Sequence, residues 1–228
     1  MQIVLYHSGL WMNMDNTTAS YLKFKCGENN AIESCANIVK NGGVIVYPTD
    51  TVYGIGCDPF NEKAVDRVFH VKRRVAEKAL PVLSASLSDL ENIVNVSDKV
   101  KKLARKFWPG PLTIICPVSN ENISPRLTAN NSSLAVRIPG NPCTLSLLKL
   151  NRYLVGTSAN ISGQESVKSP SQINTTSLAS FDALLDGGTL NKYSHSTIIR
   201  LDDDDETLTL VRNGPISESD IVAALGSS

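Results

Sequence analysis

The chain has no apolar run approaching the length of a membrane-spanning helix, which sets aside an integral helical membrane protein. Met1 to Ser20 lack the basic start and apolar stretch of a secretion signal. Neither sign of charge is in excess, since 22 Lys and Arg balance 22 Asp and Glu. A strongly basic nucleic-acid binder is therefore disfavoured, although a local basic groove stays open. Histidine is scarce, and His7, His70 and His195 form no ligand pair at helical spacing. The five cysteines, Cys26, Cys35, Cys57, Cys116 and Cys143, are odd in number and scattered, with no Cys-x-x-Cys pair. Neither a disulfide framework nor structural zinc is expected, and a reducing compartment fits.

The familiar nucleotide and hydrolase signatures are missing too. There is no G-x-x-x-x-G-K-S/T phosphate loop. Gly54-Ile-Gly56 runs into Cys57-Asp58-Pro59 and fails the dinucleotide pattern. Neither a G-x-S-x-G elbow nor a cysteine–histidine signature occurs. Any nucleotide must be held by another arrangement.

What is present is a globular composition of 228 residues, 42% hydrophobic and 19% charged, long enough for a sizeable core. Residues 1–29 read as an N-terminal extension or peripheral segment, in which Met12 or Met14 could mark an internal start. Residues 30–228 read as one domain without a linker, repeat or low-complexity block. Asn30 is positioned to cap a helix with Ile32, Cys35, Ala36 and Val39 on one face, ended by Gly42-Gly43. Val44–Tyr47 is a buried strand. Asn61 caps a helix carrying Ala64, Val65, Val68 and Phe69, which leads into Lys72-Arg73-Arg74. Leu80–Leu83 is a short strand, and Ser88 with Glu91 has capping-box spacing. Ser97 opens a helix stopped by Trp108-Pro109-Gly110. Leu112–Cys116, Leu134–Ile138 and Tyr153–Gly156 are strand-like, and Asn141-Pro142 opens a helix. Thr197–Leu201 and Leu208–Val211 suggest a hairpin across an acidic turn, and Ser217 with Asp220 starts a closing helix. The alternation predicts an α/β fold with a sheet of mixed direction.

Several polar groups fall at element ends, each with a structural and a functional reading. Lys72 and Arg74 either complement a helix dipole or clamp phosphate. Pro48-Thr49-Asp50-Thr51 is a turn after a strand, or part of a polar ligand site at a strand's carboxyl end. Ser158-Ala159-Asn160 is a turn, or a contact delivered by a buried strand. Arg137, inside the apolar run Ala135–Ile138, needs an anion, either a ligand carboxylate or a structural partner. Arg212 closes the last strand. Asp202–Asp205 with Glu206 is a solvated turn, because consecutive carboxylates cannot all converge on one ion.

Taken in order, these segments resemble the YrdC-like family of threonylcarbamoyl-AMP synthases. They are Gly43–Gly56, Lys72-x-Arg74, Trp108–Thr113, Leu134–Pro139, Thr157–Gly163, Ser196–Ile198 and Val211–Gly214. The resemblance implies a twisted, open, mixed α/β sheet with flanking helices around a concave basic cavity. It implies condensation of L-threonine, bicarbonate and ATP to threonylcarbamoyl-AMP with release of pyrophosphate. Magnesium would accompany the ATP, with no tightly bound protein metal. A downstream transferase would pass the threonylcarbamoyl group to tRNA, which the protein could itself contact. A cytoplasmic location without membrane association follows. By similarity, Lys72 and Arg74 neutralise the ATP phosphates and align the reaction. Ser158, Asn160 and Arg212 contact the nucleotide, with Ser133 and Ser166 as further candidates, and Thr49, Arg137 and Ser196 hold L-threonine.

The chain departs from the family at Val75, where proline usually follows Lys-x-Arg. It departs again at Asn213, where proline is usual, and at His195, where many relatives carry glutamate. Two rival readings keep the fold and change the function: an RNA-binding module, or a paralogue acting on another carbamoyl or acyl substrate.

Overall fold

The computed structural model describes residues 21–75, 77–173, 180–192, 195–201 and 207–226. In chain order its elements are β1 (Leu22–Lys25), α1 (Ala31–Lys40), β2 (Ile45–Tyr47), β3 (Gly54–Gly56), α2 (Glu62–Lys72) and β4 (Val82–Ser84). There follow α3 (Leu87–Leu90), α4 (Asp98–Phe107), β5 (Leu112–Pro117), α5 (Pro125–Thr128), β6 (Ser133–Arg137), α6 (Pro142–Asn151) and β7 (Tyr153–Val155). The chain closes with β8 (Thr157–Ser158), β9 (Ala183–Asp186), β10 (Thr197–Leu201), β11 (Leu208–Arg212) and α7 (Glu218–Gly226).

The strands form two mixed sheets, ordered β1-β9-β2-β3-β8 and β11-β10-β5-β6-β4-β7. In the first, β1, β9 and β2 run parallel, while β3 is antiparallel to both its neighbours. In the second, β10 with β5 and β4 with β6 are parallel, and the other pairs are antiparallel. The sheets meet at Gly56. The Val155 amide donates to the Cys57 carbonyl at 2.9 Å, and the Tyr47 hydroxyl donates to the Val155 carbonyl at 2.7 Å. A Cβ on Gly56 would lie 1.7 Å from that carbonyl oxygen, so only glycine lets the two backbones approach this closely.

Helix starts follow the expected chemistry in four places, one of them Ser217, whose hydroxyl accepts from the Asp220 amide ahead of α7. Asn61 accepts from the Ala64 amide, Ser97 from Val100, and Asn141 from Cys143 and Thr144. Two local readings change. Asn30 stands at the cap position in a left-handed conformation and its side chain makes no cap bond. The cap of α3 is Ser86 with Asp89, not Ser88 with Glu91. Seating Leu90 in the core starts this one-turn helix two residues earlier than the spacing suggested.

The main core joins the faces of α2 and α4 to both sheets, through residues such as Val65, Val68, Leu103, Ile114 and Val136. A second cluster lies under α1 and α6, with Cys35, Val39, Leu147, Leu148 and Leu154. Within residues 1–29, Leu22–Lys25 pairs with β9 as an edge strand. Residues 1–20 and the acidic turn Asp202–Glu206 lie outside the described residues. The cysteine expectation is corrected for one pair, because Cys26 and Cys143 are disulfide-bonded with Cα atoms 5.9 Å apart. They are 117 residues apart in sequence and meet only because β1 and α6 converge, which Cys spacing cannot reveal. Cys35, Cys57 and Cys116 are buried and are not disulfide-bonded. Among the described residues, no helix is long and apolar enough to cross a membrane.

Candidate active site

A cavity of about 340 Å³ opens where the two sheets meet. Its walls come from β2, β3 and β8 on one side and from β4, β5, β6, β10 and β11 on the other. Six of the sequence-predicted residues line it: Thr49, Arg74, Arg137, Ser158, Ser196 and Arg212. Strand geometry explains the convergence on β6, because Ala135 and Arg137 lie two apart and share one face.

The turn after β2 is organised by Thr49. Its hydroxyl donates to the Val52 carbonyl at 2.6 Å and accepts from the amides of Thr51 and Val52 at 3.1 and 3.2 Å. This hydroxyl therefore shapes the cavity floor as well as facing it. Behind the turn, Arg137 is almost fully buried. Its Nε donates to the Gly110 carbonyl at 2.9 Å, Nη1 to Thr51 Oγ1 at 3.4 Å and Nη2 to Asp50 Oδ1 at 2.5 Å. Burial pulls the Arg137 pKa below its usual value, and the Asp50 carboxylate opposes that pull. The two readings of Arg137 thus coexist in one side chain, which has a structural carboxylate partner and still lines the cavity.

On the opposite wall, Ser196 and Thr113 share a hydroxyl–hydroxyl bond of 2.8 Å, and Arg212 is fixed to Ser196. Burial and the nearby Arg137 charge both lower the Arg212 pKa. Two guanidinium groups that disfavour each other in one cavity favour an anion between them. Arg74 adds a third, held by the carbonyls of Lys78 and Ala79 at 3.0 and 2.8 Å.

Lys72 is placed differently. Val65, Val68, Phe69 and Lys72 fall on one buried face of α2, at the spacing of a helical stripe. Its ammonium donates to the Ser158 carbonyl and, at 2.7 Å, to the Asn160 carbonyl. It stands behind the cavity wall and supports the end of β8, which carries Ser158, and the loop that follows with Asn160. Burial, and then the Arg74 charge, lower its pKa to about 7. Arg73, in a left-handed conformation at φ 48°, ends the helix between the two and is exposed. Asn160 is buried, with its amide nitrogen on the carbonyls of Ile161 and Gln164, and does not line the cavity. Ser133 lies further along β6 in a neighbouring polar hollow that shares Ile115 with the cavity. Ser166 lines neither.

The sequence reading nominated neither Thr113 nor His195 as a ligand contact, and both are on the wall. Thr113 was visible as the end of the Trp108–Thr113 segment. His195 precedes Ser196, and burial, then the charges of Arg212 and Lys168, hold its pKa below the usual value. Among the described residues, no group of three or more His, Cys, Asp or Glu side chains is placed to hold a metal ion.

Known proteins resemble the chain in sequence and in fold. The Sua5/YciO/YrdC family profile, described as "Telomere recombination", matches residues 37–214. The chain is 32% identical over 197 residues to a threonylcarbamoyl-AMP synthase of Bacillus subtilis, covering 86% of this chain and 56% of that protein. It is 35% identical to that of Pyrococcus abyssi over 173 residues, covering 75% and 50%. It is 35% identical to that of Klebsiella pneumoniae over 175 residues, covering 75% and 90%. The chain thus spans about half the length of the first two of these relatives and most of the third. Among solved structures, P. abyssi Sua5 complexed with L-threonine aligns with a TM-score of 0.83 at 30% identity, covering 90% of this chain and 61% of that one. Escherichia coli YciO aligns with a TM-score of 0.76 at 26% identity, covering 87% and 97%.

Proposed function

The chain belongs to the Sua5/YciO/YrdC family, and from that premise we propose that it makes threonylcarbamoyl-AMP from L-threonine, bicarbonate and ATP, releasing pyrophosphate. The observation that carries this reading is one cavity lined by three arginines together with Thr49, Ser158 and Ser196. A substrate pair made of an amino acid and a nucleoside triphosphate has just such a mixture of anionic and hydroxyl-bearing groups. The relative complexed with L-threonine supports the amino-acid half of the reading.

Arg137 takes the threonine carboxylate, with the Thr49 turn and the Ser196–Thr113 hydroxyls beside it. Arg74 and Arg212 face the phosphates, and Ser158 contacts the nucleotide. Ser133 marks a direction in which the nucleotide can extend along β6. Lys72 acts on the nucleotide loop from behind, with Asn160 held in the same loop. In the reaction, the threonine amine and bicarbonate form a carbamate and release water. A carbamate oxygen then bonds to the α-phosphorus as the bond to pyrophosphate breaks. The protein aligns the carbamate with the α-phosphorus and offsets charge that grows on the leaving pyrophosphate. Magnesium enters with ATP as substrate, liganded by phosphate oxygens and water. The product is a mixed anhydride, from which a downstream transferase would pass the threonylcarbamoyl group to tRNA with AMP as the leaving group, and the domain used is residues 30–228 together with the β1 edge strand.

The test is pyrophosphate release from ATP in the presence of bicarbonate. Release that requires L-threonine, with threonylcarbamoyl-AMP identified by mass spectrometry, is expected. Release indifferent to L-threonine, or none across a range of magnesium concentrations, overturns the proposal.

A further inference from the structure

We propose that Asp50 is a positioning residue of the amino-acid subsite, holding Arg137 so that part of its guanidinium stays free for a substrate carboxylate. The inference rests on the reading of Arg137 as carboxylate anchor. An arginine carries five N–H donors, one on Nε and two on each terminal nitrogen. Here Nε is spent on Gly110, one Nη1 donor on Thr51 and one Nη2 donor on Asp50. One N–H remains on each terminal nitrogen, the number that a bidentate carboxylate pair takes.

The manner in which Asp50 binds matters as much as the contact. It engages Arg137 through Oδ1 alone, at 2.5 Å. Its Oδ2 is buried and has no hydrogen-bond partner among the described residues. The second oxygen is packed toward Gly140, where an added Cβ would lie 3.4 Å from both Cγ and Oδ2. A carboxylate free to swing round and pair through both oxygens would consume one of the two remaining donors and leave too few for a bidentate substrate carboxylate. Asp50 is absent from the cavity lining, whereas Arg137 and Thr51 are present. The carboxylate therefore acts from behind the guanidinium. Its charge also offsets the burial cost of Arg137, which would otherwise gain by turning toward solvent.

The test compares binding of L-threonine, L-threoninamide and ATP by calorimetry to the wild type, Asp50→Asn, Asp50→Glu and Arg137→Ala. L-Threoninamide keeps the amine and side chain but lacks the carboxylate. Asp50→Asn is expected to weaken L-threonine by about tenfold or more, as loss of a charged hydrogen-bond partner does. It should leave L-threoninamide and ATP within about twofold, well inside what one such bond contributes. A merely structural role would weaken all three together, and that result overturns the proposal, as does unchanged L-threonine affinity. If Asp50→Asn does not fold, Asp50→Glu, which keeps the charge but displaces it, must show the same selective loss. Arg137→Ala separates the two layers of inference. If it binds L-threonine like the wild type, the anchor reading fails. If it loses L-threonine while both Asp50 variants keep it, only the role of Asp50 fails.

Discussion

Arg212 is tied to Ser196 twice, by Nε to the backbone oxygen at 3.0 Å and by Nη2 to the hydroxyl at 2.9 Å. The same hydroxyl meets Thr113 at 2.8 Å, so one serine sets the position of a cation and of a second hydroxyl. Ser196→Ala keeps the backbone tie and removes both side-chain ties. Each lost bond is worth about 1 kcal/mol. We predict a rise in KM for L-threonine of roughly fivefold, with a smaller change for ATP, read from pyrophosphate-release kinetics. Equal KM values for wild type and variant would show that the Ser196 hydroxyl does not matter to the subsite.

The junction of the sheets makes a different prediction. Gly56→Ala places a methyl group into the backbone oxygen of Val155, which cannot move without parting β3 from β7. Overpacking against backbone costs about 1–3 kcal/mol or more. The variant should melt well below the wild type and lose affinity for both substrates, because both walls of the cavity depend on this seam. Wild-type thermal stability would contradict the close approach.

Lys72 gives a pH-dependent expectation. Its folded pKa of about 7 lies below the ordinary 10.5. Between those values the unfolded chain binds a proton that the folded chain does not, so stability rises with pH across the window. Below it, the folded protein carries a buried ammonium at full cost. Lys72→Met should flatten the rise in melting temperature between about pH 7 and pH 10. It should also weaken ATP more than L-threonine, because the carbonyls of Ser158 and Asn160 lose their common donor. An identical pH profile in the variant would remove Lys72 as the source.

The Cys26–Cys143 bridge closes a separation of 117 residues and ties the loop after β1 to the start of α6. Cys143→Ser, or reduction of the wild type, should lower stability by roughly 2–4 kcal/mol in chemical denaturation. Thiol counting by mass spectrometry on the unfolded, unreduced protein checks the bond directly. Five titratable thiols would mean that the bridge is not formed.

Much of this was legible in the chain. The helix stripes, four of the side-chain caps and most strands follow from local patterns, and the polar signatures marked six residues of the cavity wall. The cap of α3 was not, because burial of Leu90 overrode a plausible spacing. Lys72 stands behind the cavity wall for a reason that local periodicity holds. The signature Lys72-x-Arg74 reads as a pair, whereas the 3.6-residue period had already assigned Lys72 to the buried face of α2. The left-handed turn at Arg73 then sends the two cations to opposite sides of the cavity wall.

The sequence by itself determined the elements, their order and the types of chemical group available, because periodicity and caps act over a few residues. It also determined the family, through seven short segments in fixed order. Tertiary structure alone decided which groups meet. The division of strands between two sheets, the single-oxygen pairing of Asp50 with Arg137, the Lys72 strut and the Cys26–Cys143 bridge all join residues far apart in the chain. Such contacts are selected by how buried faces pack and how strands register, and no local pattern carries that information.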